Sequence, residues 1–253
     1  MISLVLVAYR SSNHLPAAIQ SFRDEAARLG RPAEVVVVEQ SEDADEEARV
    51  RELAPDSLLV RPNRGYAAGL NAGIAAASGA VLLLANPDVR FLPGSLGALL
   101  DALDAGWDVA GPQFELAGWL FPPADVQTPL EELRRWLAGR WTRQRFLRRE
   151  VRRWRRVWES AGPVAVETLS GALLAVRRET AARVGPWDEG YFLYFEETDW
   201  LRRARRRGLR AAVVPAARIE HAWGHAAEPG RYAARFDQSR RRFYARHFGP
   251  AGL

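Results

Sequence analysis

The sequence has 253 residues with 36 basic and 31 acidic side chains, a formal net charge of +5, and no cysteine. The absence of cysteine excludes a disulfide framework and a zinc–thiolate site, and no apolar run approaches the ~20 residues that span a membrane. All the basic residues are arginine, and the pI of about 10.1 favours anionic partners such as nucleotides, phosphates or anionic lipid. The N-terminus enters an apolar run without a preceding basic segment, which indicates no signal peptide and a cytoplasmic protein.

Predicted strands and helices alternate over the first part of the chain. Apolar, β-branched runs predict strands at residues 2–8, 34–38, 57–60 and 80–85. Helical spacing of apolar residues predicts helices at residues 13–29, 43–53 and 66–77. This alternation indicates βαβ units, and therefore an α/β fold with a mostly parallel sheet flanked by helices. We assign residues 1–105 to this half.

The second part of the chain has a different organisation and is predicted to complete a single domain. Strands are predicted at residues 109–114, 167–176, 210–214 and 217–221, and helices at residues 196–207 and 231–248. An insertion at residues 129–160, rich in arginine and tryptophan, is predicted to form one long helix or two. We place the second half at residues 106–225 and a C-terminal amphipathic helix at residues 226–253.

Asn86, Pro87 and Asp88 follow directly on the apolar strand predicted at residues 80–85. Proline explains why the strand ends, because it has no N–H for the strand ladder. It does not explain the carboxylate of Asp88. An acid at the carboxyl end of a buried strand lies where open α/β sheets bind their ligands, so Asp88 is a candidate binding residue.

Five motifs in this order resemble the inverting family 2 glycosyltransferases of the GT-A fold, in particular their rhamnosyltransferase-like branch. They are VLVAYRS, VVVVEQS, NRGYAAGLNAGI, LLLANPDV and GYFLYFEETDWLRRARRRG, and the resemblance covers residues 2–225. The resemblance implies transfer of a sugar from a nucleoside diphosphate donor, similar to dTDP-rhamnose, to a hydroxyl group with inversion. The implied acceptor is a glycan or a polyprenyl-diphosphate-linked sugar.

The resemblance assigns the donor site to several of these motifs. Tyr9 would stack on the nucleobase beside Ala8, and Glu39, where the family usually has Asp, would contact the base or ribose. The remaining donor-site candidates are Asn63, Gly65, Asn71, Ser170 and Gly171. Arg64 is a candidate for the diphosphate or a solvent-exposed side chain, and Gly69 and Gly73 are expected to allow close packing of a helix on the sheet.

The resemblance also implies a divalent cation, Mn²⁺ or Mg²⁺, on the donor diphosphate. Asp88 matches the last acid of the family's Asp-x-Asp motif, the usual metal ligand, and Asn86 replaces the first acid. Pro87 lies between them. His221 is the candidate for a further ligand. Downstream of it, His225 is a candidate for acceptor or phosphate contact, with Trp223 packed beside these histidines.

The general base implied by the resemblance is Glu197, where the family usually has Asp. Glu196 is adjacent and is expected to raise the pKa of Glu197 by its like charge. Asp199 is interpreted as a helix-stabilising or acceptor-contacting acid. The alternative is that all three acids only favour a helix N-terminus. That alternative leaves the preceding aromatic run at residues 191–195 unexplained, and this run is predicted to form a pocket wall.

Eleven arginines lie between Arg134 and Arg156. A helix there would gather an apolar stripe of Phe146, Leu147, Val151, Trp154 and Trp158. Residues 134–158 therefore predict either a helix on an anionic membrane surface or a solvated helix packed on the core. The first alternative would make the protein peripheral on the inner face of the cell membrane.

Two other functions compete with glycosyl transfer. The departures at Glu39, Asn86 and Glu197 would suit a non-catalytic nucleotide-sugar or glycan binding module on a degenerate GT-A fold. The arginine-rich helix would suit a nucleic-acid-binding protein. The second alternative leaves the carboxylate motifs unexplained, so we expect no nucleic acid partner.

Overall fold

The computed structural model describes residues 1–122, 128–130, 140–222 and 232–249. The strands in these residues are β1 Ile2–Ala8, β2 Ala33–Glu39, β3 Ser57–Val60, β4 Val81–Ala85, β5 Val89–Phe91, β6 Val109–Leu116, β7 Trp119–Leu120, β8 Val164–Val166, β9 Leu173–Arg177 and β10 Ala211–His221. The helices are α1 Leu15–Arg28, α2 Ala44–Glu52, α3 Tyr66–Ala76, α4 Ser95–Asp104, α5 Arg140–Trp158, α6 Arg178–Val184, α7 Glu196–Arg206 and α8 Ala233–Phe248.

One mixed sheet has the order β3-β2-β1-β4-β9-β6-β10-β5, with β7 paired to β6 and β8 to β10. The first four strands are parallel, β9 runs antiparallel between β4 and β6, and β6 is parallel to β10. Strands β1, β4, β6 and β10 therefore all end at the same edge of the sheet. This edge carries Ala8, Ala85, Leu116 and His221.

The sheet is buried on both faces. The side chains of β1 alternate between two clusters, with Leu4 and Leu6 in one and Val5 and Val7 in the other. Helices α1 and α4 contribute to the first cluster, and α3 and α7 to the second. This explains why the strands are continuous apolar runs instead of alternating ones.

Helix α3 lies unusually close to β1. A Cβ atom on Gly69 would lie 2.5 Å from Cγ1 of Val7, and one on Gly73 would lie 2.3 Å from Cγ1 of Val5. These distances confirm the packing role predicted for the two glycines, because any side chain there would push the helix off the sheet.

The sequence-based elements of the first half are confirmed, with β3 at the predicted bounds. In the second half, residues 210–221 form one strand instead of two; the register between β10 and β6 shifts between Val214 and Arg218, around Pro215, which cannot donate to the ladder. The strand predicted at residues 167–176 is confined to β9. Elements β5, β7, β8, α4 and α6 were not predicted.

The predicted apolar stripe on the arginine-rich helix is wrong in part. Val157 is buried, whereas Val151 is 42% exposed. Trp158 packs toward the sheet and donates from Nε1 to the carbonyl of Phe121 at 3.1 Å. The side chains of Phe146 and Leu147 lie outside the described part of the chain. No helix within the described ranges is long and apolar enough to cross a bilayer.

Candidate active site

A pocket of about 380 Å³ opens at the carboxyl edge of the sheet, where β1, β4 and β10 end. It brings together nine of the residues predicted from the sequence: Tyr9, Asn86, Pro87, Asp88, Ser170, Gly171, Glu196, Glu197 and His221. Five other lining residues were not predicted from the sequence: Val7, His14, Tyr66, Ala172 and Tyr232. The lining is completed by Leu193 and Tyr194. Leu193 and Tyr194 belong to the aromatic run that was predicted to form a pocket wall.

Asp88 and His221 are brought together by strand pairing. Val89, the first residue of β5, pairs with His221, the last residue of β10, and the Ala222 N–H donates to the Asp88 carbonyl at 3.1 Å. As a result, Oδ1 of Asp88 lies 3.1 Å from Nε2 of His221, and both side chains are nearly buried. The Asn86 amide nitrogen is 3.5 Å from the same imidazole nitrogen.

Glu196 and Glu197 begin α7 and follow two residues with unusual backbone geometry. Tyr194 has φ 70° and Phe195 has φ 67°, both in the left-handed region. For residues with a Cβ this conformation costs about 1–2 kcal/mol each, so the surroundings must hold it. The backbone turn directs both carboxyl side chains into the pocket.

Two glycines let other segments approach these acids. Gly65 has φ 98°, and a Cβ atom there would lie 2.5 Å from the carbonyl oxygen of Phe192. This contact allows the Tyr66 N–H to donate to the same carbonyl at 2.9 Å. A Cβ on Gly171 would lie 3.3 Å from Cβ of Glu197. Gly171, a predicted donor-site residue, therefore lies directly against the side chain of Glu197.

The two adjacent glutamates have different pKa values. Burial, followed by the charge of Glu197, raises the pKa of Glu196 well above its usual range. Burial raises the pKa of Glu197 to about 6. The expected effect of the Glu196 charge on Glu197 is wrong, because the charge effect acts in the opposite direction, from Glu197 on Glu196. Burial therefore favours the protonated form of Glu196, while Glu197, with a pKa of about 6, is mostly ionised at neutral pH.

Tyr66 lies among the carboxylates of the site. Burial, and then the charges of Glu196, Glu197 and Asp88, raise the pKa of its phenol well above the usual value. Its hydroxyl donates to the Gly171 carbonyl at 3.2 Å. The phenol therefore stays protonated and lies between the strand-end acid and the helix-start acids. Its position after Gly65 in the third motif was the signal that could have identified it.

A family model described as glycosyl transferase family 2 matches residues 3–154. The chain belongs to this family. It is also 30% identical, over 98% of its own length and 86% of the other protein's, to the N-acetylglucosaminyl-diphospho-decaprenol L-rhamnosyltransferase of Mycobacterium tuberculosis, in two strains. Membership of family 2, rhamnosyltransferase-like, is therefore confirmed.

Solved structures confirm the fold. GalNAc-T7 with UDP, GalNAc and Mn²⁺ matches with a TM-score of 0.61 and 16% identity over 87% of the chain. The mannosyltransferase PcManGT of Pyrobaculum calidifontis, in complex with GDP-Man and Mn²⁺, matches with a TM-score of 0.61 and 17% identity over 92% of the chain. The chain spans 43% and 59% of these two proteins. The predicted GT-A fold is correct.

Asp88 and His221 present a carboxylate oxygen and an imidazole nitrogen, two groups that can bind divalent cations. Two ligands of an octahedral ion at right angles to each other are about 3.0 Å apart for bonds of ~2.1 Å, close to the 3.1 Å between the Asp88 and His221 atoms. The described residues contain no group of three acidic or histidine side chains suited to a metal. The coordination of ions of the Mg²⁺ type is commonly completed by substrate phosphates, so a cation held by Asp88 and His221 would need further ligands of that kind.

Several predicted donor-site residues lie outside the pocket lining. Ala8 is fully buried at the end of β1, and Asn63 accepts from the Gly65 N–H. The Asn71 side chain donates to the Trp187 carbonyl at 3.0 Å and accepts from its N–H at 2.9 Å. Asn71 thus fixes the segment leading to α7.

The two predicted charged donor contacts also lie outside the pocket lining. Arg64 is exposed and pairs with Glu189 at 3.1 Å. Glu39 is 1% exposed, and its Oε1 accepts from the Ser41 N–H at 2.5 Å. Burial raises the pKa of Glu39. In this conformation its carboxyl group faces the protein interior.

Asp199 is fully buried and lies away from the pocket. Its two oxygens contact Arg203 at 2.8 Å and His247 at 2.7 Å. This agrees with the helix-stabilising interpretation of Asp199 and links α7 to α8. Trp223 and His225 lie outside the described residues.

Proposed function

We propose that this family 2 member transfers a sugar from a nucleoside diphosphate donor to an acceptor hydroxyl with inversion. The observation that carries the proposal is the single pocket shared by Asp88 and His221 on one side and Glu196 and Glu197 on the other. We assign donor binding mainly to residues 1–105 and the base to residues 106–225.

Glu197 is the proposed general base. Its pKa of about 6 leaves it ionised at neutral pH yet basic enough to accept a proton. It removes the acceptor hydroxyl proton while the oxygen bonds to the anomeric carbon, and the bond from that carbon to the diphosphate oxygen breaks. Attack on the face opposite the leaving group inverts the anomeric centre. Glu196, whose pKa is raised by burial, lies beside it in the pocket.

Asp88 and His221 are the proposed ligands of a divalent cation. When bound, such an ion would offset the negative charge that develops on the departing nucleoside diphosphate. Tyr9, 41% exposed at the pocket edge, offers a ring face on which a nucleobase can stack. The Tyr66 hydroxyl oxygen lies where it can accept a hydrogen bond from the donor.

We further propose a rhamnosyl donor and a polyprenyl-diphosphate-linked acceptor. The support is the 30% identity to a mycobacterial enzyme whose name specifies L-rhamnosyl transfer and a decaprenol-linked acceptor. A lipid-linked acceptor would place the protein on the inner face of the cell membrane.

The arginine-rich face of α5 supports this membrane location. Arg148, Arg149, Arg152 and Arg156 are exposed, and none of them forms an ion pair with another residue of the described ranges. The β6–β7 hairpin adjoins this helix through the bond from Trp158 to Phe121, and its Trp119 is 80% exposed. Arginine pairs with lipid phosphate and tryptophan favours the headgroup region. The hairpin also leaves the sheet at the edge that carries the pocket.

A thermal-shift panel combined with a turnover assay tests the proposal. UDP, dTDP, GDP and CDP would each be added with Mn²⁺, Mg²⁺ or a chelator, because a ligand of the folded state raises the melting temperature. We expect a metal-dependent shift with one nucleotide, and release of that nucleotide from its sugar donor with acceptor. Binding without turnover would favour the degenerate binding module, and no shift with any nucleotide would contradict the proposal.

A further inference from the structure

Helix α8 contacts the segment that leads into the two glutamates. The Ser239 hydroxyl donates to the Leu193 carbonyl at 2.8 Å. Arg242 donates to both carboxylate oxygens of Asp188 at 2.9 Å, and Arg246 pairs with the same carboxylate. These bonds attach α8 to both ends of the loop at residues 188–193. The loop is followed directly by Tyr194 and Phe195, the two residues with left-handed backbone angles, here called the left-handed pair.

A second contact joins α8 to α7 beyond the glutamates. Nε2 of His247 lies 2.7 Å from Oδ1 of Asp199, and the two side chains are 1% and 0% exposed. Burial lowers the pKa of His247, so the imidazole is neutral at pH 7 and donates its Nε2 hydrogen to the carboxylate. The Asp199 N–H in turn donates to the Phe195 carbonyl at 2.8 Å. The contact therefore fixes the first turn of α7.

Aromatic packing holds the left-handed pair itself. The Phe195 ring lies 5.2 Å from Phe236, 5.4 Å from Phe243 and 6.5 Å from Tyr244, all on α8. The Tyr194 ring also contacts Phe236, at 5.6 Å. A strained backbone persists only when its surroundings fix it, and these surroundings are supplied largely by α8.

We infer that α8 is a positioning element for the base, with His247 and Ser239 as its principal positioning residues. The inference rests on the proposed role of Glu197. Without these contacts, Tyr194 and Phe195 would relax toward ordinary backbone angles and shift the Glu197 carboxylate. A misplacement of about 1 Å can lower a rate on the order of 100-fold. Asp88, His221 and Tyr9 lie on strand ends, so donor binding does not depend on α8.

The test compares His247→Leu, His247→Gln and Ser239→Ala in the full chain, with Arg241→Ala as the control on the exposed face of α8. Leucine removes the hydrogen bond from His247 to Oδ1 of Asp199 and leaves Arg246 3.4 Å from that oxygen. Glutamine presents an amide N–H at a similar distance from the backbone. We expect His247→Leu to lower kcat about 100-fold, with the donor KM and the nucleotide-induced thermal shift changed less than about threefold. His247→Gln should restore most of kcat.

Ser239→Ala is the milder variant, for use if His247→Leu does not fold. Losing one hydrogen bond should lower kcat about fivefold without changing donor KM. The inference is overturned if folded His247→Leu or Ser239→Ala keeps the kcat of Arg241→Ala, or if kcat and donor binding fall together. Failure of the proposed function gives a different result, because the unmodified protein would then bind nucleotide without turnover.

Discussion

Oδ1 of Asp88 and Nε2 of His221 lie 3.1 Å apart at the ends of two different strands. The two residues are far apart in the sequence. They are brought together because β5 pairs with β10. If the pair holds a cation on the donor diphosphate, Asp88→Asn should lower turnover on the order of 100-fold or more, because several kcal/mol of charge stabilisation would be lost.

The same substitution should abolish the metal-dependent part of the nucleotide-induced thermal shift. Glu220→Gln is the matched control, because Glu220 precedes His221 on β10 and pairs with Arg90 on the surface. Equal thermal shifts with Mn²⁺ and with chelator, in the unmodified protein and in Asp88→Asn, would exclude the cation site.

Glu197→Gln should remove the base while keeping the size of the side chain. We expect kcat to fall by a factor on the order of 10² to 10⁴. Glu197→Asp should retain part of the activity, because it keeps a carboxylate at this position. In the unmodified protein, kcat should rise with pH through about 6 and then level off, since the base acts ionised. The measurement is the pH dependence of initial rates.

The matched control for Glu197 is Glu179→Gln, which alters an exposed glutamate on α6. It should leave the pH profile unchanged. A Glu197→Gln enzyme with the rate of this control would exclude Glu197 as the base.

Glu196 should make stability depend on pH. Its folded-state pKa is raised by burial, so the folded protein binds a proton that the unfolded chain releases above pH ~4.5. Stability contributed by protonated Glu196 is therefore lost as pH rises from about 4.5 toward the raised folded-state pKa. From pH 5 to pH 7.5, the melting temperature of Glu196→Gln should fall less than that of the unmodified protein. Identical slopes in the two proteins would show that Glu196 ionises normally.

The basic face of α5 should bind anionic vesicles. Exchange of Arg148, Arg152 and Arg156 for Gln should weaken binding to phosphatidylglycerol-containing vesicles by about fivefold per arginine at low salt, corresponding to ~1 kcal/mol each. Trp119→Ser should weaken it further. The measurement is vesicle co-sedimentation over a salt series.

The charge-matched control for these vesicle experiments exchanges three exposed arginines elsewhere, Arg31, Arg61 and Arg207. Its vesicle affinity should stay within about twofold of the unmodified protein, because none of the three arginines belongs to α5. Tighter binding to oligonucleotides than to vesicles would instead favour the nucleic-acid alternative.

The first half of the fold could be predicted because each strand is buried on both faces. Such strands have continuous apolar sequences. Helix α3 is rich in glycine because it packs directly on β1. Strand β10 was divided in the prediction because Pro215 interrupts the pattern, although the chain continues through a register shift. The spacing of Leu96, Leu99 and Leu103 was a helical signal for α4 that the sequence analysis did not use.

Only the site residues that lie within recognisable sequence motifs could be predicted. Asp88 and Glu197 were identified because their neighbours in sequence form recognisable patterns. His14, Tyr232 and the contact between Asp199 and His247 depend on segments that meet only in three dimensions. The orientation of Glu39 also could not be predicted, because the Ser41 N–H that bonds its carboxyl group is set by the local turn.

Gly65→Ala should disturb the site from a distance. Gly65 has φ 98° and ψ 171°, and an added Cβ would lie 2.5 Å from the Phe192 carbonyl oxygen, a backbone atom that cannot move alone. Gly185→Ala is the matched control, because Gly185 has φ 88° and ψ 179° but its nearest atom, on Arg203, is 4.0 Å away.

Gly185→Ala should cost about 1–3 kcal/mol of unfolding free energy from backbone strain alone. Gly65→Ala should cost more and should also lower kcat, because displacing Phe192 moves the loop that leads to Glu197. Chemical denaturation and initial rates measure the two effects. If both variants lost equal stability and kept full activity, the contact between Gly65 and Phe192 would have no part in placing the base.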